Sequence, residues 1–216
     1  MITQSTDNNG SGVPSKEWRR LEPPPPGFSD TLKLPPFQSH LLYNRGIRHL
    51  DEIEPFLAAD SRLLNDPMLL PDMGKAVFRL KDALKNGETI GIFGDFDTDG
   101  ITGTALLTVA LREIGARVVP YLPDRTDEGH GLNDQAVEYL REQGVSLLLT
   151  VDCGVTAVGE VKVASSIGID TIITDHHTVM PEMPDACAII NPQRADSEYP
   201  YRHLTGVGMT FKLVEA

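Results

Sequence analysis

The chain has 216 residues, of which 40% are hydrophobic and 23% charged, with 19 Lys+Arg against 31 Asp+Glu and a formal net charge of -12. That length holds one domain, or one domain with an extension, and the composition excludes wholesale disorder. Net acidity excludes a protein that holds nucleic acid only by blanketing it with positive charge, and no apolar run approaches the ~18 residues needed to span a bilayer.

Residues 1–30 are rich in Ser, Asn, Gly and Pro, with Trp18 and Leu21 the main apolar exceptions, and read as an irregular tail. The start has neither a basic region nor an apolar stretch, so a cytoplasmic protein is expected. Residues 31–87 read as a small helical collar. Leu41, Leu42 and Tyr43 precede Gly46, and Ile53, Phe56 and Leu57 fall at helical spacing. Asp72 is placed to cap a helix over 73–85 that carries Val77, Leu80 and Leu84 on one face and stops at Gly87.

From residue 88 to 216 the period changes. Apolar runs at 89–93, 118–122, 146–151, 171–174 and 188–190 alternate with helical stretches at 100–114, 134–143 and 156–167. The pattern predicts an α/β domain, a largely parallel sheet flanked by helices. Cys153 and Cys187 lack paired spacing, which points to a reducing compartment and away from a zinc cluster.

The charge is uneven. Residues 1–85 balance 11 basic against 11 acidic side chains, whereas residues 86–216 hold 8 against 20. Part of that excess lies at strand ends. The first strand runs into Gly94-Asp95-Phe96-Asp97-Thr98-Asp99-Gly100, the third into Asp152-Cys153-Gly154, and the fourth into Asp175-His176-His177. The carboxyl ends of parallel strands share one edge, where ligands bind, so these side chains are expected to converge. Two carboxylates ~4 Å apart repel by roughly 4 kcal/mol at an effective dielectric near 20, so such a cluster calls for protons or cations. Oxygen and imidazole donors suit Mn²⁺ or Mg²⁺ better than zinc. Asp99 is expected to cap the helix beginning near Ile101 rather than to hold metal.

Taken in order with Glu128-Gly129-His130-Gly131-Leu132-Asn133, Ile190-Asn191-Pro192 and Gly206-Val207-Gly208-Met209-Thr210-Phe211, these segments resemble the motifs of the DHH phosphoesterase superfamily. Within it they are most similar to the RecJ family of single-strand-specific 5′→3′ DNA exonucleases, over residues ~36 to 216. The resemblance implies a phosphodiesterase with two ions, Mn²⁺ or Mg²⁺, acting in DNA repair and recombination on single-stranded DNA, with a single-strand-binding protein and a helicase as partners. By that resemblance Asp97 and His176 hold one ion, Asp95 the other, and Asp152 bridges them. Asp152 and His177 are then the catalytic pair, His177 lying near the scissile phosphate, and Asp175 orients the histidines. Arg125 and the turn Gly206–Gly208 are implied to meet phosphates. An ion pair of Arg125 with Asp124 or Glu128, and a packing role for the two glycines, are the competing assignments.

Two departures from the family pattern stand out. Gly91 occupies the position where many DHH phosphoesterases carry a His before the first Asp. The chain also stops at Ala216, before the further metal-ligand Asp, the DHHA1 domain and the OB-fold of RecJ proteins, so the span to 216 is expected to be an incomplete and weakly active piece. An oligoribonuclease or cyclic-dinucleotide phosphodiesterase would share the acids, and a non-catalytic DHH-like scaffold would have lost them. The Asp-x-Asp-x-Thr start of a haloacid-dehalogenase-type phosphatase also fits residues 95–98, but the later strand ends lack the Lys and acidic pair that chemistry needs. No GxGxxG spacing follows the first strand, which disfavours a dinucleotide fold.

Overall fold

Alternating burial on two sheet faces dictates the architecture of the second half of the chain. In the computed structural model, residues 20–59 and 61–216 are described, together with the two-residue strands β1 (Gln4–Ser5) and β2 (Ser15–Lys16), which pair antiparallel. The rest of the expected irregular tail, Trp18 included, lies outside the described residues. Contacts divide the chain into two compact units, 1–64 and 65–216.

The first unit contains α1 (Phe28–Leu32), α2 (Pro36–Asn44) and α3 (Leu50–Ala58). Proline at the first position of α2 supplies a preset φ where no donor is needed. Before α3 the Glu52 carboxylate accepts from the backbone N–H groups of Arg48 and His49, both at 2.9 Å, which satisfies donors at the helix entrance. The buried cluster is small: Leu32, Leu42 and Ile53, with Phe28, Leu34 and Ile47 against it. Of the three apolar residues expected on one face of α3, only Ile53 is buried. Phe56 and Leu57 are 40% and 57% exposed.

The second unit begins with α4 (Met73–Asn86), whose Met73, Ala76, Leu80 and Ala83 are buried in the core of the sheet. The helical stretch 31–87 is therefore shared between the two units, because this apolar face packs on strand residues such as Ile90. Gly87 ends α4 in the left-handed region at φ 65°, as expected. Asp72 stands at the N-cap position of α4, as expected, but its side chain makes no capping hydrogen bond. Its carboxylate accepts from Arg194 (2.6 Å) and sits 2.6 Å from Lys75 Nζ.

Five strands follow: β3 (Thr89–Gly94), β4 (Arg117–Tyr121), β5 (Val145–Val151), β6 (Asp170–Thr174) and β7 (Ala188–Ile190). They form one parallel sheet in the order β4-β3-β5-β6-β7. Leu147, Leu149 and Val151 point to one face with α4, α5 (Thr98–Glu113) and α8 (Gly206–Glu215). Val145 and Leu148 point to the other with α6 (Asp134–Glu142) and α7 (Val158–Ser166). Each fully buried leucine contributes about 1.5–3 kcal/mol. Among the described residues no helix is long and apolar enough to cross a membrane.

Candidate metal centre

Strand order creates a switch point between β3 and β5, whose onward connections leave in opposite directions. A parallel sheet opens a crevice there, at the carboxyl edge. The ladder runs one residue past each strand end. Asp95 N–H donates to Val151 O (3.2 Å), Asp152 N–H to Thr174 O (3.0 Å), and Asp175 N–H to Ile190 O (3.1 Å). Register therefore sets Asp95, Asp152, Asp175 and Asn191 in one row across four strands. The convergence expected from sequence is present.

Asp97 is the N-cap of α5: its Oδ1 accepts from Asp99 N–H (2.9 Å) and Gly100 N–H (3.0 Å). The cap expected at Asp99 is thus corrected by two positions, because the helix starts at Thr98 rather than near Ile101. Asp99 instead turns outward from α5 to the start of α8 and accepts from the N–H groups of Gly206 and Val207, the latter at 2.8 Å. Gly208 N–H donates to the Thr205 hydroxyl (3.1 Å). The backbone donors expected to meet phosphates at Gly206 and Gly208 are therefore satisfied inside the protein. Gly206 serves close packing: a Cβ there would lie 2.5 Å from the Cβ, Cγ and Oδ1 of Asp152.

Asp152 is buried nearly as deeply as Asp175. It is 2% exposed and adopts a left-handed backbone, φ 62°, a conformation that Asp tolerates better than most residues. Two threonines brace its turn: Thr174 Oγ1 donates to Thr150 O (2.6 Å) and Thr150 Oγ1 to Cys153 O (2.8 Å). Asp152 Oδ1 lies 2.9 Å from His176 Nε2, an ion pair if that imidazole is protonated, and the buried oxygen has no hydrogen-bond partner. Burial, then the nearby Asp99 and Asp97 carboxylates, push its carboxyl up to about 7.

Asp175 is the opposite case. Burial alone would raise its carboxyl, but His177 Nδ1 (2.7 Å) and the N–H groups of His176 (2.7 Å), His177 (3.0 Å) and Val155 (2.9 Å) hold it below the usual carboxylate range. The same contact with Asp175, opposed by partial burial, raises the His177 imidazole to about 9. Asn191 Nδ2 donates to His177 O (3.0 Å) and steadies the backbone from the neighbouring strand.

Two groups of side chains offer ligand atoms within 4.8 Å of one another: Asp95, Asp97 and Asp152, and Asp152, His176 and His177. Asp152 belongs to both groups, whereas Asp97, expected to share an ion with His176, groups instead with Asp95. His177, expected beside the phosphate, falls within the second group. An oxygen-rich set with imidazole suits a hard or borderline divalent ion, and Cys153 stays apart as a buried thiol raised by desolvation.

The rim carries Arg125, expected to meet phosphate, together with Phe96 and His130, to which motif reading gave no role. Arg125 sets its guanidinium 5.3 Å from the centre of the Phe96 ring, and His130 packs tilted at 47° against the same ring at 4.5 Å, with Nδ1 3.9 Å from Asp95 Oδ2. Glu128 is taken up by the Tyr121 hydroxyl (2.6 Å), Asp124 N–H (2.8 Å) and Asn133 Nδ2 (3.2 Å), which pins the loop beneath them. Glycines at φ 77° and 81° flank His130, the one sequence signal that its backbone is specifically shaped.

A family profile described as "DHH family, N-terminal domain" matches residues 89–216. The chain is 41% identical over 189 residues to the single-stranded-DNA-specific exonuclease RecJ of Bacillus subtilis (strain 168), covering 88% of this chain and 24% of that protein. A crystal structure of exonuclease RecJ bound to manganese superposes with a TM-score of 0.62 at 35% identity, over 67% of this chain and 37% of that one. RecJ from Thermus thermophilus in complex with Mn²⁺ gives a TM-score of 0.69 at 30% identity, over 91% and 28%. The chain spans about a quarter to a third of the length of the curated relatives it matches.

Proposed function

The chain belongs to the DHH family, and from that premise we propose that it carries a metal-binding part of a single-stranded-DNA-specific 5′→3′ exonuclease. The observation that carries this reading is Asp152, a residue common to two ligand groups whose buried Oδ1 has no hydrogen-bond partner. A carboxylate left in that state is costly unless a cation takes the place of the missing donors.

The donor set fits two Mn²⁺ or Mg²⁺ ions. Asp95, Asp97 and Asp152 would hold one, and Asp152 with His176 the other. When bound, such ions supply an activated water and neutralise charge on the attacking and leaving oxygens of an in-line displacement. The protein's own residues do the positioning. Asp175 fixes the His176-His177 backbone and commits His177 Nδ1, so that His177 presents Nε2 outward, where it can hold a proton against a phosphate oxygen. Arg125, whose guanidinium lies over the Phe96 ring at the rim, is held ready for a terminal phosphate. Buried strands on both sides keep the acids in register, so little reorganisation accompanies reaction. Action in DNA repair and recombination, in the cytoplasm and alongside a single-strand-binding protein and a helicase, follows from the same family reading.

The test is Mn²⁺-dependent degradation of 5′- and 3′-labelled single strands and duplexes by this span and by a chain extended downstream. Loss of 5′ label from the single strand, absent in Asp152→Ala, is expected. Digestion that persists in Asp152→Ala, or an extended chain that degrades neither substrate, would overturn the proposal.

A further inference from the structure

Between the end of β7 at Ile190 and the start of α8 at Gly206 the chain crosses the carboxyl edge of the sheet, the edge that carries the acids. The crossing segment is tied down along its length. Tyr199 is 4% exposed and Leu204 packs beside it, both in the core shared with α4, α5 and α8. Gln193 links the segment to the acid row: its backbone N–H donates to Asn191 Oδ1 (2.8 Å) and its side-chain Nε2 to Arg202 O (2.7 Å). Thr205 then caps α8 through Gly208 N–H.

Three consecutive side chains stay outside this framework. Tyr201, Arg202 and His203 are all exposed, Tyr201 by 52%. His203 meets Tyr201 edge to face, with ring centres 5.7 Å apart at 75°. In that geometry each ring keeps at least one face clear of the other. Arg194 nearby is committed to Asp72 and Asp196, and Arg79 to Glu88 and Asp170. Among the described residues Arg202 has no carboxylate partner.

We infer that Tyr201, Arg202 and His203 form a contact surface for single-stranded DNA, with a base stacked on Tyr201 and a backbone phosphate on Arg202. The inference rests on the nuclease reading above and deepens it by naming where the strand is gripped beside the ions. Chemistry and charge select this partner. An aromatic face beside an uncommitted guanidinium matches a single strand, base on ring and phosphate on cation. In a duplex the bases already stack on one another, which leaves Tyr201 nothing to take up. Residues 86–216 hold 8 basic against 20 acidic side chains, so phosphate is repelled from most of this surface and held where a free guanidinium or a metal ion offsets the acids. Position agrees. His203 and Tyr201 precede Gly206 by three and five residues, at most roughly 11 Å and 18 Å of chain, and a Cβ on Gly206 would lie 2.5 Å from Asp152. The surface is therefore within a few nucleotides of the metal centre.

The experiment titrates the whole chain into single strands that carry a 3′ fluorescein, read by anisotropy, and into strands with 2-aminopurine at successive positions, whose fluorescence falls on stacking. Ca²⁺ replaces Mn²⁺, and a gel verifies that the strand stays intact. Tyr201→Ala should weaken binding about 5–150-fold and abolish the 2-aminopurine quench, while Tyr201→Phe keeps both. Arg202→Gln should weaken binding and lower the slope of log affinity against log salt by about 0.7. Thermal melts of all three variants should match wild type, because the side chains are exposed. Unchanged affinity in Tyr201→Ala, equal losses in Tyr201→Ala and Tyr201→Phe, or an unchanged salt slope in Arg202→Gln would overturn the inference. So would a wild-type chain that binds no single strand, or one that binds duplex as tightly and loses it equally in Tyr201→Ala. The metal-centre reading beneath it fails on a separate measurement, calorimetric titration of wild type in which no Mn²⁺ binds, so the two failures are told apart.

Discussion

Asp152→Asn separates what the site costs the fold from what it does. Asp152 is 2% exposed, its Oδ1 has no donor, and its carboxyl is pushed up to about 7 from an ordinary 3.8. A difference of roughly 3 units corresponds to about 4 kcal/mol, at 1.36 kcal/mol per unit. A carboxyl raised by folding keeps its proton after the unfolded chain has released its own. The metal-free protein is therefore unpenalised below about pH 4, loses stability as pH rises from 4 to 7, and carries the whole penalty above 7. Asparagine removes the charge, tolerates φ 62°, and can donate to His176 Nε2. In EDTA, Asp152→Asn should raise the unfolding free energy by up to about 4 kcal/mol at pH 8 and by little at pH 4, while Mn²⁺ binding collapses. Urea denaturation at the two pH values reads both numbers. A variant no more stable than wild type at pH 8, or one that gains equally at pH 4, would refute the claim that Asp152 is an uncompensated buried charge.

Asp175→Ala has the opposite sign. It strips the acceptor from three backbone N–H groups and from His177 Nδ1, and should destabilise the protein by at least about 3 kcal/mol in neutral denaturant melts. Because the folded carboxyl is held below the usual range, that contribution is present above the ordinary carboxylate pKa and disappears as pH falls through the folded value, so the gap to wild type should close in acid. Equal gaps at pH 7 and pH 3 would contradict this. Gly103→Ala brings a Cβ to 2.6 Å from Val151 Cγ1, and overpacking should cost about 1–3 kcal/mol in thermal unfolding. A variant that melts with wild type would mean that α5 and α8 are less tightly apposed to β5 than the geometry requires.

The sheet and its acid-bearing edge were legible because both are local. Apolar runs of four to seven residues ending in Asp mark buried parallel strands and their carboxyl ends, and Asp95, Asp152 and Asp175 stand where that pattern put them. What the pattern missed depends on partners far along the chain. Asp97 and Asp99 both precede a glycine at a helix start, and the choice of cap turns on where helical φ and ψ begin, which spacing does not settle. Asp72 has the local sequence of an N-cap but is taken by Arg194, 122 residues on. Gly206–Gly208 reads as an anion-binding helix start, yet its first two donors are filled by Asp99. Arg125 was weighed against neighbouring acids, whereas its partner is an aromatic ring brought over from the end of β3.

The distribution of donors among the five acids argues for where positive charge is wanted. Asp97 draws on two N–H groups at the start of α5, Asp99 on two at the start of α8, and Asp175 on three backbone N–H groups and an imidazole. Asp95 accepts one bond from Phe96 N–H (2.8 Å) and lies at the rim, less buried than Asp152. Among the described residues no N–H donates to the Asp152 carboxylate, although it is buried and its neighbours are acidic. Helix dipoles and turn amides thus stabilise the surrounding charges and leave the central one uncompensated. An apolar or amide residue at 152 would give a more stable metal-free fold. A carboxylate at that cost fits the proposed site, in which a cation held with Asp95, Asp97 and His176 would supply the missing charge.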